Sequence, residues 1–326
     1  MAMDRAVANW QRRAARILTR CVDVLRLSER DPMAVQLAFH PSLYQSLNED
    51  LRCFKTVEQL LNHYREFGYD EGRICCDVTS REGLMATISE VDRVLEIGAF
   101  ATPITGHLES ADHFDVFNRQ QLLAKAEQHG FPTHLIPEIR YVDPDGNLEI
   151  VPKNAYNVIV SCHVIEHQPC LVRHLNQVFD LLPVGGRYLL VVPDKRFIFD
   201  HSLPLTRLSE LIDAYLQKRT RHSLTALIDR YYLSSHNDWQ RHWAGDHAHE
   251  PEDLDRVREA IQDFERGGYV DVHAWRFTPR SLAALLNDLI RLEVFTTPFE
   301  GRIHPTLRNT HEFFVVLTKG QAPRLP

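Results

Sequence analysis

Between residues 91 and 192 the chain alternates short apolar runs with longer amphipathic segments, and no other feature narrows its possible folds as much. The runs at 91–97, 111–115, 139–143, 156–162 and 188–192 have strand length, and segments near 103–109, 118–129 and 170–182 between them have helical spacing. Strands separated by helices need crossover connections, which makes a sheet mostly parallel with helices on both faces. The expectation is a doubly wound α/β sheet. A helix at 279–290 and strands at 292–297 and 312–318 follow, and the last two predict an antiparallel C-terminal edge. Residues 200–268 interrupt the alternation with a stretch rich in Leu, Arg, His and Tyr, which reads as a helical insertion capping the sheet.

Two smaller pieces precede the sheet. Val7, Trp10, Ala14, Ile17, Cys21 and Val24 recur at three- or four-residue intervals and predict an amphipathic helix within 1–30, with Arg12, Arg13, Arg16 and Arg20 on its other side. Such helices dock on their own protein or on a second copy more often than on a membrane, so a homo-oligomer is a better expectation than membrane association. Within 31–78, the block from Phe39 to Arg73 predicts two or three short helices packed through aromatics, with Gly68 and Gly72 ending turns. Its Phe39-His40-Pro41, Leu43-Tyr44, Asn48-Glu49-Asp50, His63-Tyr64, Phe67-Gly68 and Glu71-Gly72-Arg73 resemble a helical module found beside bacterial glycosyltransferases. His40 stands where that module has an acid, and Glu49 where it has a proline. The resemblance implies a glycosyltransferase partner and a place in polysaccharide biosynthesis.

The 326 residues, 44% of them apolar, suffice for about two domains at roughly 150 residues each. A net charge of −7 lacks the basic footprint of nucleic-acid binders, so no nucleic-acid partner is expected. The six cysteines form no CxxC pair, which argues against a disulfide framework or a zinc ribbon and fits a reducing cytoplasm. Without an eighteen-residue apolar run or a secretory leader, a cytoplasmic, unprocessed chain is expected.

In a doubly wound sheet the ligand sits beyond the carboxyl ends of the strands. There the first run reads Val94-Leu95-Glu96-Ile97-Gly98-Ala99-Phe100, with an acid two residues before a glycine but only one of the three glycines of a dinucleotide turn. The second run ends at Asp115, where a carboxylate can accept from both ribose hydroxyls, and Asn118 follows as a helix N-cap. An acid at each position and no pyrophosphate cradle fit a nucleoside without phosphates, for which S-adenosylmethionine is the obvious candidate.

Residues 79–320 resemble class I S-adenosylmethionine-dependent methyltransferases, which have a Rossmann-like sheet. The resemblance is carried by Val94 to Gly98, Tyr156-Asn157-Val158-Ile159-Val160-Ser161-Cys162-His163-Val164-Ile165-Glu166-His167, Leu181-Leu182-Pro183-Val184-Gly185-Gly186-Arg187, Val191-Val192-Pro193-Asp194-Lys195-Arg196 and Asp271-Val272-His273-Ala274-Trp275-Arg276-Phe277-Thr278-Pro279. Phe100 stands where the family usually has glycine. The resemblance implies that Glu96, Gly98 and Ala99 lie against the methionine part of the cofactor and that Asp115 holds the ribose. It further implies that Asp143 accepts from the adenine amino group and that Ser161, Cys162 and His163 face the sulfonium.

Methyl transfer needs alignment of acceptor, methyl and sulfur in a dry site, and a hydroxyl acceptor gains from a base. His163, His167, Asp194 and His273 are the candidates for that base, and the sequence does not choose among them. Asp194, Lys195, Arg196, His273 and Trp275 are expected along the acceptor side, suited to a polar small molecule or a saccharide and to O-methylation. The alternatives are a non-catalytic S-adenosylmethionine-binding partner protein, a nucleotide-sugar or NAD enzyme on the same fold, or a scaffold acting through its N-terminal pieces.

His163-x-x-Glu166-His167 also matches the HxxEH zinc pattern, but Pro169 denies it the continuous helix that pattern needs. The insertion carries His236, Asp238, His242, Asp246, His247 and His249, whose types suit a divalent ion. Irregular His-rich loops are more often solvated surface, so no metal is expected.

Overall fold

The computed structural model describes residues 34–321 except 109, 250, 252, 268 and 269. The helix expected within 1–30 lies outside the described residues.

The chain enters on a short strand, β1 (Val35–Leu37), then forms α1 (Pro41–Leu47) and α2 (Val57–His63). Thr56 and Gln59 cap α2 reciprocally, and the helix runs on through one wide turn at Tyr64–Gly68. Tyr44, Leu51, Leu60, Tyr64, Tyr69 and Cys75 bury one another here. α3 (Arg81–Met85) leads to the central strands β2 (Val94–Ile97), β3 (Asp112–Asp115), β4 (Tyr141–Val142), β5 (Val158–Cys162) and β6 (Arg187–Pro193). Between them run α4 (Arg119–His129) and α5 (Leu171–Leu181). The insertion contributes α6 (Leu208–Leu216), α7 (Leu224–Tyr232), α8 (Trp239–Trp243) and α9 (Leu254–Glu265). Then come α10 (Pro279–Arg291), β7 (Phe299–His304) and β8 (Glu312–Lys319).

The eight strands form one sheet in the order β1-β7-β8-β6-β5-β2-β3-β4. Every pairing is parallel except those of β8, which runs antiparallel to both β6 and β7. The mostly parallel, Rossmann-like sheet with antiparallel C-terminal strands is therefore as expected. Beyond it, β1 takes the outermost place, so the N-terminal segment completes the sheet.

Two helical and strand positions differ from expectation. Residues 103–108 form turns rather than a helix, because the Glu96 carboxylate accepts from the backbone N–H groups of Ile104 and Thr105 and pins the segment as a loop. The penultimate strand lies at 299–304 rather than 292–297. Leu292 instead caps α10, and Glu293 turns the chain with φ 54°. Gly301 sits mid-strand because a Cβ there would meet Leu317 Cδ2 at 2.4 Å and the Val316 carbonyl at 2.8 Å.

One face of the sheet packs on α5 and α10 through Leu95, Ile159, Val178, Phe179, Leu285 and Leu289. Phe179 stacks on Phe299 at 4.3 Å. The other face holds a smaller cluster of Val94, Val158, Val160, Leu189 and Val191 with Leu84 and Met85 of α3. Each such side chain, fully buried, is worth about 1.5–3 kcal/mol of transfer free energy. All five cysteines among the described residues are free thiols.

Candidate active site

At the carboxyl ends of β2, β3 and β5 opens a cavity of about 630 Å³. Its floor includes Gly98, Phe100, Asp115 and Phe117, one wall is His163, Val164 and His167, and the insertion side adds Thr220, Arg221, Gly267 and Asp271. Gln121, Leu122 and Lys125 also face it; their spacing places them on one side of α4.

Gly98 makes the floor possible. Its φ of 71° lies in the left-handed region, and a Cβ would approach Val164 Cγ2 to 2.8 Å. Asp115 is 7% exposed and accepts from the Phe117 N–H at 2.9 Å. Burial pushes its carboxyl above the ordinary range, against the backbone hydrogen bonds and Lys125 that pull it down. Ribose hydroxyls would supply the donors that a buried carboxylate needs. Phe100 holds a left-handed φ of 41°, meets Phe131 edge-on at 5.4 Å and lies under the Lys125 ammonium. A buried carboxylate beside a left-handed glycine turn and two aromatic rings suits a nucleoside.

The expected cofactor residues divide. Gly98, Asp115 and His163 reach the cavity; Glu96, Ala99, Asp143, Ser161 and Cys162 are not on its wall. Glu96 is fully buried, and its oxygens are taken by the Ile104 and Thr105 backbone and the Thr105 hydroxyl. It shapes the loop instead of touching a ligand. Ala99 is buried beside Gly98. Asp143 Oδ1 accepts from the Asp145 and Asn147 N–H groups, so this carboxylate closes its own turn, while Pro144, Asp145 and Gly146 border the cavity. Ser161 and Cys162 belong to β5 rather than to the loop after it, and period-two alternation sends them to opposite faces. The Ser161 hydroxyl meets the Tyr188 hydroxyl at 2.8 Å, and burial pushes the Cys162 thiol up.

The base candidates divide likewise. Asp194 is fully buried, accepting from Arg196 N, Nε and Nη2 and from the Thr306 hydroxyl at 2.7 Å. A carboxylate so occupied is a brace, and it does not line the cavity. Lys195 donates to the His201 carbonyl at 2.5 Å, and Trp275 is buried, donating to the Gln168 carbonyl at 2.6 Å. His273 pairs through Nδ1 with Asp200 at 2.6 Å, behind the cavity wall. Its ring packs edge-on against His167 at 4.6 Å.

His163 and His167 remain on the wall. His163 holds φ 54° and places Nε2 2.9 Å from Glu312. Burial pushes the Glu312 carboxyl up, but the Arg81 guanidinium and His163 pull it down to about 2. Arg81 grips Glu312 with two hydrogen bonds of 2.8 and 2.7 Å, so that carboxylate is already neutralised. His167 Nδ1 lies 2.9 Å from Asp271 Oδ1. Burial works against the His167 charge, yet Asp271 outweighs it and raises the imidazole above its ordinary value. Burial works against the Asp271 charge too, and the His167 bond and nearby Lys125 hold this carboxyl well below its usual range.

Asp271, read only within a family segment, and Lys125, like Phe117, Arg173 and Arg221, are cavity residues to which motif reading assigned no role. Lys125 could have been found by its helical spacing from the Asn118 cap, and Asp271 by its place two residues before His273. Glu166 is 1% exposed behind His167 and His273, with neither carboxylate oxygen hydrogen-bonded. Among the described residues, no helix is long and apolar enough to cross a membrane.

Residues 61–289 match the family model described as "Methyltransferase domain". No curated protein matches the chain. Among solved structures, it is similar to the CurJ carbon methyltransferase at 14% identity and TM-score 0.36, over 74% of this chain and 52% of that one, so it spans about half that protein's length. A SAM-dependent methyltransferase from Thermotoga maritima matches at 11% identity and TM-score 0.36, over 81% of this chain and 96% of that one. The complex of DhpI with SAH matches at 13% identity and TM-score 0.36, over 70% and 77%.

Proposed function

This chain belongs to the family described as "Methyltransferase domain", and from that premise we propose S-adenosylmethionine-dependent O-methylation of a polar small-molecule or saccharide acceptor with His167 as the base. S-adenosylmethionine, when bound, supplies a methyl group on a sulfonium that is already a good leaving system. In this reading Asp115 holds the ribose, Gly98 lets the β2 turn approach the cofactor, and Phe100 and Phe117 exclude water.

The observation that carries the role of His167 is its pair with Asp271 on the cavity wall. An ionised carboxylate only accepts, so His167 Nδ1 carries the proton and Nε2 keeps a basic lone pair. Asp271 makes that lone pair more basic and prepares the imidazolium that forms when a hydroxyl gives up its proton. His163 shares its carboxylate partner, Glu312, with the Arg81 guanidinium, whereas Asp271 makes its side-chain hydrogen bond to His167. Arg173 and Arg221 on the same cavity suit an acceptor bearing oxygens. The short helices between residues 41 and 68, with the resemblance carried by Phe39 to Arg73, support a glycosyltransferase partner and a saccharide acceptor.

Transfer of a labelled methyl group to a panel of sugars, glycosides and small hydroxylated acids, with NMR of the product, tests the reading. A methyl ether whose formation falls by about 10²–10⁴ in H167A is expected. A product methylated on carbon or nitrogen, or undiminished turnover in H167A, would overturn it.

A further inference from the structure

Two guanidiniums border the cavity, and they are held differently. Arg173, on α5, donates to the Asp145 carbonyl at 3.3 Å, and the Asp145 side chain is exposed there. Arg221 comes from the connection between α6 and α7 and lies over the Phe264 ring, 5.3 Å from its centroid. Among the described residues, no hydrogen bond or ion pair holds the Arg221 guanidinium. Acids are not scarce: the chain has 44 of them against 37 Lys and Arg, and Arg219, two residues earlier, is paired with Asp213 at 2.8 Å.

A cation–π contact fixes a guanidinium without spending its five N–H donors. Gly267 keeps the approach to them open. A Cβ on that residue would stand 3.5 Å from Arg221 Nη1, in contact with it. A rigid fork of unspent donors matches the paired oxygens of a carboxylate or a phosphate, which it binds through two parallel hydrogen bonds.

Location ties this fork to the reacting end of the cavity. The next residue, His222, is 4% exposed. Burial pushes His222 down to about 4, Asp271 works against that and His167 adds to it, so both members of the His167–Asp271 pair lie close to it. Thr220, on the other side of Arg221 in the chain, also lines the cavity. Asp271, the carboxylate on this side, is engaged by His167 at 2.9 Å and Lys125 at 3.9 Å, so it does not face an incoming anion as a bare charge.

We propose that Arg221 binds an anionic group of the acceptor, a carboxylate or a phosphate ester, and thereby turns the acceptor hydroxyl toward His167. This rests on reading the cavity as the site of methyl transfer. Charge balance favours the same class of acceptor. Lys125, Arg173 and Arg221 match Asp115, Asp145 and Asp271 in number along the lining, and S-adenosylmethionine carries one net positive charge, so the loaded cavity is complementary to an anion.

The test measures binding without turnover, by calorimetry on the full chain saturated with S-adenosylhomocysteine. Two matched sets are the probes. One is methyl glucoside, methyl glucuronide and methyl glucoside phosphorylated on its primary hydroxyl; the other is meta-hydroxybenzamide with meta-hydroxybenzoate. In at least one set an anionic member should bind about 10-fold or more tighter than its neutral analogue, and the sugar set shows whether carboxylate or phosphate is preferred. R221A should weaken the anionic member roughly 10- to 100-fold and leave the neutral one unchanged, while R221K, which keeps the charge but not the fork, should recover part of the loss. Arg221 is exposed, so R221A leaves the core packing intact, and matching circular dichroism checks it. S-adenosylhomocysteine affinity should be the same in R221A and wild type. Equal binding within both sets, or an anion preference that survives R221A, would overturn the proposal. So would an equal loss of S-adenosylhomocysteine affinity in R221A, which would assign the guanidinium to the carboxylate of the cofactor. Failure of the O-methylation reading is a separate result: a product methylated on carbon or nitrogen leaves these affinities standing, and equal affinities leave a methyl ether product standing.

Discussion

His167 and Asp271 lie 104 residues apart in the chain and 2.9 Å apart in the fold, joined Nδ1 to Oδ1 on the cavity wall. One comes from the loop after β5 and the other from the segment between α9 and α10, so only the folded chain creates the pair.

That pair makes the pH profile informative. The His167 base works when neutral, and its raised pKa places the acid limb of kcat/KM above the ordinary imidazole value of about 6.5. D271N should move the limb to lower pH and reduce kcat. The stability effect runs the same way. The raised His167 contributes stability fully below its unfolded pKa and loses it as pH rises through the folded value. The lowered Asp271 contributes above its unfolded pKa of about 3.9 and loses it as pH falls through the folded value. D271N should therefore flatten melting temperature against pH between those limits. An unmoved acid limb in D271N would remove His167 from the chemistry.

Asp115 should govern cofactor affinity without affecting the fold's core. A hydrogen bond to a charged group is worth about 1.5–3 kcal/mol, so D115A should weaken S-adenosylhomocysteine binding roughly 10- to 100-fold by calorimetry. Because burial already penalises this carboxylate, apo D115A should melt no lower than wild type. Unchanged affinity would place the ribose elsewhere.

The sheet was legible because its strands are buried on both faces and so read as continuous apolar runs. Val158 to Val160 is such a run, and the Asn118 cap marked the start of α4. β7 was not legible, since Gly301 reads as a loop residue until Leu317 is placed against it. Site residues followed the same division. Gly98 and Asp115 could be found because strand ends are fixed by topology. Glu96, Asp143, Ser161 and Asp194 carry the right chemistry at such ends, but their partners, Thr105, Asn147, Tyr188 and Arg196, turn them away from the cavity or occupy them. Residue type and position along a strand do not reveal what a side chain will bond to.

Gly98 offers a test of the cavity floor. G98A places a side chain in left-handed backbone, at about 1–2 kcal/mol, and sets a methyl against Val164 Cγ2. Chemical denaturation should show at least that loss, with cofactor binding weakened as well. Trimming the obstruction in G98A/V164A should return the steric part and not the backbone part. Full recovery would mean that the left-handed turn costs nothing here.

Asp194 distinguishes bracing from catalysis. Its carboxylate ties Arg196 and Thr306 together in full burial, and Arg196 in turn lies over Tyr69, 4.9 Å from the ring. Breaking a buried ion pair by removing one partner costs about 3–5 kcal/mol, so D194N should lower the denaturation midpoint sharply. A base acting on the acceptor would behave differently, losing turnover with stability intact. Methyl transfer by D194N, measured well below its melting temperature and corrected for the folded fraction, should stay within a few-fold of wild type. A loss on the order of the 10²–10⁴ that removal of a base produces, in a protein as stable as the parent, would return Asp194 to the chemistry and displace His167 from its role.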